Sequence, residues 1–149
     1  MPYKYEEKIL KLNENLGCNC YDDYVEKECE AYRFTFAEIT DKRNFLPTAS
    51  DPTNNKARQK CSGYAISFHE TETSSKNTWD YLIDDRPNLF KKIGTHISKG
   101  TLTKAYGKCS DSDEHLHFNF AEYEDIKLEA YFQIHQQLAS DEMLKKLNV

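Results

Sequence analysis

Residues 115–120 (HLHFNF) alternate strictly between polar and apolar side chains, and this pattern constrains the fold more than any other in the chain. Successive side chains of a β-strand point to opposite faces of its sheet. The alternation therefore predicts a strand whose core face is formed by Leu116, Phe118 and Phe120. The other face carries His115 and His117, whose side chains lie about 7 Å apart along such a strand.

Three helices are predicted from apolar stripes and from residues that begin or end helices. Residues 4–16 carry an apolar stripe that Gly17 ends. A middle helix begins at Thr71 or Thr73, and a C-terminal helix begins at Ser140, because hydroxyl side chains accept hydrogen bonds from the first backbone N–H groups of a helix.

Strand patterns occur at residues 31–36 and 63–69, and residues 96–106 are typical of two short strands. Residues 126–135 also alternate, which favours a strand that forms a hairpin with residues 115–120. Their apolar side chains also recur at every fourth position, so a helix remains the alternative. Strands without a regular βαβ order predict an α+β fold with a mainly antiparallel sheet of five to six strands.

Composition predicts one globular domain over residues 1–149, with 38% hydrophobic and 30% charged residues. The charged N-terminus lacks the apolar run of a signal peptide, and no segment approaches the roughly 20 apolar residues of a membrane span. We therefore expect a soluble cytoplasmic protein that does not bind membranes. In a reducing cytosol all five cysteines would be free thiols. The spacing of Cys18, Cys20 and Cys29 is not that of a zinc site, and we predict no metal or other cofactor.

Basic side chains are concentrated in residues 40–62, which contain two prolines and two consecutive asparagines and are predicted to form a long loop. Loops of this length are uncommon in compact domains and are often functional. The loop offers four basic candidates for an anion such as a phosphate: Lys42, Arg43, Arg58 and Lys60. Alternatively these charges pair with acidic strands. The net charge of −5 argues against broad binding to nucleic acid.

The pair His115 and His117, preceded by Gly107 and followed by Glu122, resembles part of the metal-binding motif of the cupin family. In that motif a glycine precedes a His-x-His pair and a glutamate. The resemblance implies a metal-dependent enzyme in which the histidines and the glutamate are ligands. The chain lacks the later glycine and histidine of the motif, so an ordinary polar sheet face is the competing interpretation.

A second pattern consists of Arg33, Ser67 and the sequence Glu122-Tyr-Glu124, in this order along the chain. It resembles the Arg, Ser and Glu-x-Glu elements of one class of ADP-ribosyltransferases. The resemblance implies that Arg33 and Ser67 hold a dinucleotide and that Glu124 positions the nucleophile. The serine here lacks the usual Ser-Thr-Ser context, and Arg33 would equally pair with an acid across the sheet.

These patterns favour a small accessory module that binds a protein partner or an anionic, phosphate-bearing ligand and has no catalytic machinery of its own. An enzyme is the alternative, either metal-dependent through His115 and His117 or similar to an ADP-ribosyltransferase. The candidate ligand-binding residues are Arg33, Lys42, Arg43, Arg58, Lys60, Ser67, His69, His115, His117, Glu122 and Glu124.

Overall fold

The computed structural model describes residues 2–147. The two ends of the predicted domain, Met1 and residues 148–149, lie outside the described residues. The helices are α1 (Glu6–Leu16), α2 (Glu72–Asp85), α3 (Phe90–Ile93) and α4 (Asp141–Lys146). The strands are β1 (Cys29–Thr35), β2 (Ile66–His69), β3 (His96–Leu102), β4 (Gly107–Cys109), β5 (His117–Glu122) and β6 (Phe132–Gln137).

The predicted helix boundaries are confirmed at the residues that begin and end them. Gly17 ends α1 in the left-handed region, with φ of 67°, where glycine carries no steric penalty. The hydroxyl of Thr71 accepts a hydrogen bond from the backbone N–H of Ser74 at the start of α2. Ser140 accepts in the same way from Met143 at the start of α4. None of the helices in the described range combines the length and the apolar composition that a bilayer crossing requires.

All six strands form one antiparallel sheet in the order β4-β5-β2-β1-β3-β6. The predicted α+β class is therefore confirmed, with N-terminal, middle and C-terminal helices. Val25, just before β1, also pairs with Cys109 of β4 through backbone hydrogen bonds of 2.9 and 2.7 Å. Since β5 and β2 separate β4 from β1 in the sheet, this contact requires the sheet to curve strongly.

The concave face of the curved sheet contains an aromatic core centred on Phe68. Its ring lies 5.8 Å from that of Phe118, 6.1 Å from that of Phe120 and 5.4 Å from that of Phe132. On the opposite face, Trp79 of α2 packs with Phe90 and with side chains of α4. Each face thus buries its own apolar cluster, as a sheet with helices on one side requires.

Two predicted strands are wrong in extent or in pairing. Residues 96–102 form one continuous strand, β3, where two short strands were expected. Residues 126–135 do not form a hairpin with residues 115–120, because residues 128–130 form a 3-10 turn and β6 pairs with β3. Leu128 is fully buried in the core. The first apolar residues of this alternation therefore precede the strand, and only the later ones lie in β6.

The alternation of residues 115–120 becomes a strand only from His117. His115 lies in the preceding turn, and Leu116 has a φ of 59° and is 38% exposed. The prediction that Leu116 shares the core face with Phe118 and Phe120 is therefore wrong. The side-chain carboxylate of Asp113 accepts backbone hydrogen bonds from both His115 and His117, which holds this turn in place of a straight strand.

Cys20 and Cys61 form a disulfide, so the prediction that all five cysteines are free thiols is wrong. The remaining three, Cys18, Cys29 and Cys109, are free. Cys20 packs in a cluster with Ile9 and other residues of the N-terminal region. The cross-link therefore ties this region to the end of the long loop at residues 40–62.

Replacing Phe118 and Leu116 by alanine tests which of the two side chains belongs to the core. Phe118→Ala should lower the free energy of unfolding by about 3–5 kcal/mol, because the ring is 1% exposed and its loss leaves a cavity. Leu116→Ala is the matched control and should stay within about 0.5 kcal/mol of the wild type. Urea unfolding measures both values. Equal losses at the two positions would contradict the register of β5.

Thiol titration tests the disulfide. Denatured protein that has not met reductant or added oxidant should contain three reactive thiols, because two of the five cysteines are bonded to each other. Treatment with reductant before denaturation should raise the count to five. A count of five without reductant would contradict the bond between Cys20 and Cys61.

Candidate functional site

A cavity of about 350 Å³ lies at one end of the concave face. Three segments enclose it: the N-terminal residues 4–5, the loop at residues 39–46, and the chain from the end of β5 to the 3-10 turn at residues 128–130. The lining residues are Lys4, Tyr5, Ile39, Thr40, Asp41, Lys42, Asn44, Phe45, Leu46, Glu122, Leu128 and Glu129.

Glu122 supplies a buried carboxylate to the wall of this cavity. It is the last residue of β5 and shares the concave face with Phe118 and Phe120, and it is only 3% exposed. One carboxylate oxygen, Oε2, accepts a hydrogen bond from Lys4 Nζ at 2.7 Å. The other oxygen, Oε1, is buried and has no hydrogen-bond partner among residues 2–147.

Lys4 reaches Glu122 because the N-terminal segment pairs with the chain after β5. Tyr3 and Tyr123 form an antiparallel bridge, and the backbone N–H of Lys4 donates to the Glu122 carbonyl at 3.0 Å. The ammonium of Lys4 also donates to the carbonyl oxygen of Ile126 at 2.5 Å. Burial raises the pKa of Glu122 above its ordinary value, although the nearby charges of Lys4 and Arg33 act in the opposite direction.

Arg33 projects from β1 into the same concave face. Its Nη1 donates to the Ser67 carbonyl at 2.9 Å and its Nη2 to the Leu46 carbonyl at 3.3 Å. The guanidinium carbon lies 6.0 Å from the ring centres of both Phe45 and Phe68. Burial lowers the pKa of Arg33 to about 10, so the group stays charged at neutral pH. Its Nε is buried and makes no hydrogen bond within the described chain.

The loop wall of the cavity is held by Asn44 and Phe45. The side chain of Asn44 accepts from the backbone N–H of Phe36 at 2.8 Å and donates to the Glu38 carbonyl at 2.8 Å, which closes the loop on itself. Phe45 has a φ of 52°, an uncommon value for a bulky residue, and its ring lies 5.2 Å from that of Phe132. This uncommon backbone conformation turns Phe45 toward the core, and both Phe45 and Leu46 line the cavity.

Three of the sequence-predicted candidates meet around this cavity: Glu122 and Lys42 line it, and Arg33 is bonded to its wall at Leu46. The elements that resemble an ADP-ribosyltransferase do not come together. The side chain of Ser67 is exposed on the opposite face of the sheet from Arg33, which contacts only its carbonyl. Glu124 is exposed in the turn after β5.

The histidines lie apart from Glu122. His117 faces His69 across β5 and β2, with ring centres 5.5 Å apart, on the opposite face from Glu122. The His69 imidazole lies 3.1 Å from the hydroxyl of Thr78, and burial lowers its pKa to about 4. His115 is exposed beside Glu114. No group of three or more His, Cys, Asp or Glu side chains within residues 2–147 is placed to hold a metal ion.

The other basic candidates are bound mainly within their own loop. Arg43 donates to both carboxylate oxygens of Asp41, at 3.0 and 2.7 Å. Arg58 donates to the side chain of Asn55 at 2.8 Å and to the carbonyl of Asp51 at 3.0 Å. Lys60 is exposed. Arg43 and Arg58 therefore donate hydrogen bonds that stabilise the conformation of the loop.

Sequence reasoning missed Lys4, Phe45 and Glu129 as site residues. In the sequence, Lys4 is the first charged residue of an amphipathic helix. Nothing nearby in the sequence indicates that it contacts Glu122, 118 positions away. Phe45 reads as an ordinary apolar residue of a loop, because a positive φ leaves no mark in the sequence unless glycine or asparagine occupies the position.

The raised pKa of Glu122 predicts a pH dependence of stability that Glu122→Gln removes. A carboxyl that binds its proton more tightly in the folded state makes the protein less stable as the pH rises from the ordinary glutamate value through the raised one. Relative to wild type, Glu122→Gln should therefore gain stability between pH 4 and pH 7.

Urea unfolding at a series of pH values measures this difference, and Glu124→Gln provides an exposed control that should follow the wild-type curve. A constant difference between Glu122→Gln and wild type across the whole pH range would contradict the assignment.

No protein-family model matches this chain, and comparison with curated proteins and with solved structures found no significant match. The functional argument therefore rests on the cavity and on the residues that enclose it.

Proposed function

We propose that the protein is a small binding module that holds a polar small molecule in the Glu122 cavity. A hydroxyl or ammonium group of the ligand donates a hydrogen bond to Glu122 Oε1. The observation that carries the proposal is a buried carboxylate oxygen, without a partner in the described chain, on a residue that lines a cavity of about 350 Å³. This volume is at the lower end of the range for small-molecule pockets.

The energetics of the free carboxylate oxygen favour a ligand with a donor. A buried acceptor left without a hydrogen bond costs roughly 1–3 kcal/mol, and more when it is charged. A ligand N–H or O–H that reaches Oε1 removes this cost, and a bond to an ionised acceptor is stronger than one between neutral groups. Lys4 already donates a hydrogen bond to the other oxygen, Oε2, so Oε1 is the acceptor that remains for the ligand.

Lys42 extends the recognition to an anionic group, although the carboxylate of Glu129 also lines the cavity. Lys42 is exposed and lines the cavity, whereas Asp41 is engaged by Arg43. An ammonium at this position attracts a phosphate or carboxylate. The phosphate-bearing ligand predicted from the sequence is retained in this form: a molecule with a donor at Glu122 and an anionic group beside Lys42. A protein partner stays a prediction from the sequence.

An enzyme is the second candidate, favoured by the raised pKa of Glu122. Carboxyl groups with raised pKa values beside cavities often act as general acids or bases. In that case Glu122 would exchange a proton with the bound molecule. Both candidates share the same cavity, and chemical change of a bound ligand would distinguish the enzyme from the binding module.

The cytoplasmic location also stays a prediction. A disulfide such as Cys20–Cys61 persists in an oxidising compartment and is normally reduced in the cytosol. A cytoplasmic protein would therefore carry these two cysteines as thiols, and the location is compatible with the fold only if the N-terminal cluster tolerates their reduction.

Titration of isotope-labelled protein with a matched set of probes tests the binding proposal. Glucose and ethanolamine supply donors, glucose 6-phosphate and phosphoethanolamine add an anionic group, and inorganic phosphate supplies the anionic group alone. We expect at least one donor probe at millimolar concentration to shift amide resonances of residues 4–5, 44–46 and 122. Its binding should weaken about tenfold or more in Glu122→Gln, which corresponds to the loss of about 1.4 kcal/mol.

Lys42→Ala should weaken only the phosphorylated probes, and Glu124→Gln is the control that should bind like wild type. Binding of inorganic phosphate alone, binding that Glu122→Gln leaves unchanged, or no shift at these residues with any probe would each contradict the proposal.

A further inference from the structure

Two of the free cysteines, Cys29 and Cys109, belong to one region of the core, although their strands are not neighbours in the sheet. Cys29 begins β1 and Cys109 ends β4. The backbone pairing of Val25 with Cys109 brings the chain that leads into β1 alongside β4. Both side chains therefore belong to the same aromatic cluster on the concave face: Cys109 lies within it, and Cys29 packs against it.

The two thiols differ in exposure. Cys109 is 1% exposed, whereas Cys29 is half-buried and accessible from outside. A small reagent therefore reaches Cys29 more readily than Cys109. Cys18, the third free cysteine, is exposed.

The groups around the pair favour the thiolate form of Cys29. The neighbouring Cys109 thiol and, to a smaller extent, the charge of Lys27 lower the pKa of Cys29 to about 7, against the opposing effects of burial and Glu70. The neighbouring Cys29, together with burial, raises the pKa of Cys109. The lowered pKa therefore raises the share of thiolate at the more accessible sulfur, whereas the raised pKa of Cys109 keeps the proton on the buried one.

We propose that Cys29 and Cys109 form a redox-active thiol pair that a small peroxide oxidises to a disulfide. The Cys29 thiolate attacks one oxygen of hydrogen peroxide and breaks the O–O bond, which gives a sulfenic acid and hydroxide. The Cys109 sulfur then attacks the Cys29 sulfur, forms the S–S bond and releases the sulfenic oxygen as water, with the thiol proton leaving in that water. Two thiols are oxidised and one peroxide is reduced to two equivalents of water.

This disulfide would join the beginning of β1 to the edge strand β4. Val25 and Cys109 already connect these segments by backbone hydrogen bonds, so the new bond cross-links chain segments that are in contact in the fold. The pair lies apart from the Glu122 cavity, since none of the residues that line the cavity belongs to it.

Peptide mapping of the full chain under non-reducing conditions, before and after treatment with hydrogen peroxide, tests the proposal. Peroxide should produce a cross-linked peptide that contains Cys29 and Cys109 and should lower the thiol count from three to one. Cys109→Ser should stop at a sulfenic acid on Cys29, which dimedone traps. Cys18→Ser is the matched control and should form the cross-link as fast as wild type.

A second measurement does not depend on the folding of any variant. In wild-type protein, alkylation of Cys29 by iodoacetamide should be faster than that of Cys18 at pH 7, with a pH midpoint near the lowered pKa of Cys29. Oxidation of Cys18 without the Cys29–Cys109 peptide, or a Cys29 that alkylates no faster than Cys18, would overturn the proposal.

Discussion

The contact between Phe68 and Phe132 is the interaction on which the rest of the structure depends. Their rings lie 5.4 Å apart although β1 and β3 separate their strands in the sheet. Aromatic side chains bury large apolar areas, so this contact strongly favours a sheet that curves toward them. The curvature encloses whatever else lies on the concave face. For this reason Arg33 and Glu122, which a flat sheet would leave to solvent, have buried polar atoms.

The concave face keeps these two charged residues at an energetic cost. Moving a charge out of water is unfavourable by several kcal/mol unless hydrogen bonds and an opposite charge compensate. Lys4 compensates one oxygen of Glu122, and the carbonyls of Ser67 and Leu46 compensate two nitrogens of Arg33. Compensation is incomplete at Glu122 Oε1 and Arg33 Nε, and Glu122 lines a cavity. Incomplete pairing beside open volume is typical of a site that a ligand completes.

The sequence predicts local features well and long-range pairing poorly, for a physical reason. A helix end depends on one capping residue, so Gly17, Thr71 and Ser140 were correctly identified. Strand pairing depends on distant residues: a turn that includes Asp125, with φ of 68°, and the burial of Leu128 redirect the chain so that β6 joins β3 instead of β5. Alternation predicts a strand without predicting its partner.

The candidate site shows the same difference between local features, which the sequence predicts, and long-range contacts, which it does not. Arg33 and Glu122 are candidates because of their residue types, whereas the cavity that Glu122 lines depends on the curvature and on the N-terminal segment that brings Lys4 to Glu122. That segment is fixed by the bridge from Tyr3 to Tyr123, and the adjoining helix α1 packs in the cluster that contains Cys20. The disulfide at Cys20 therefore helps to hold Lys4 beside Glu122, although the bond and the carboxylate belong to different parts of the fold. The position of Lys4 beside Glu122 thus depends on the packing of the N-terminal region.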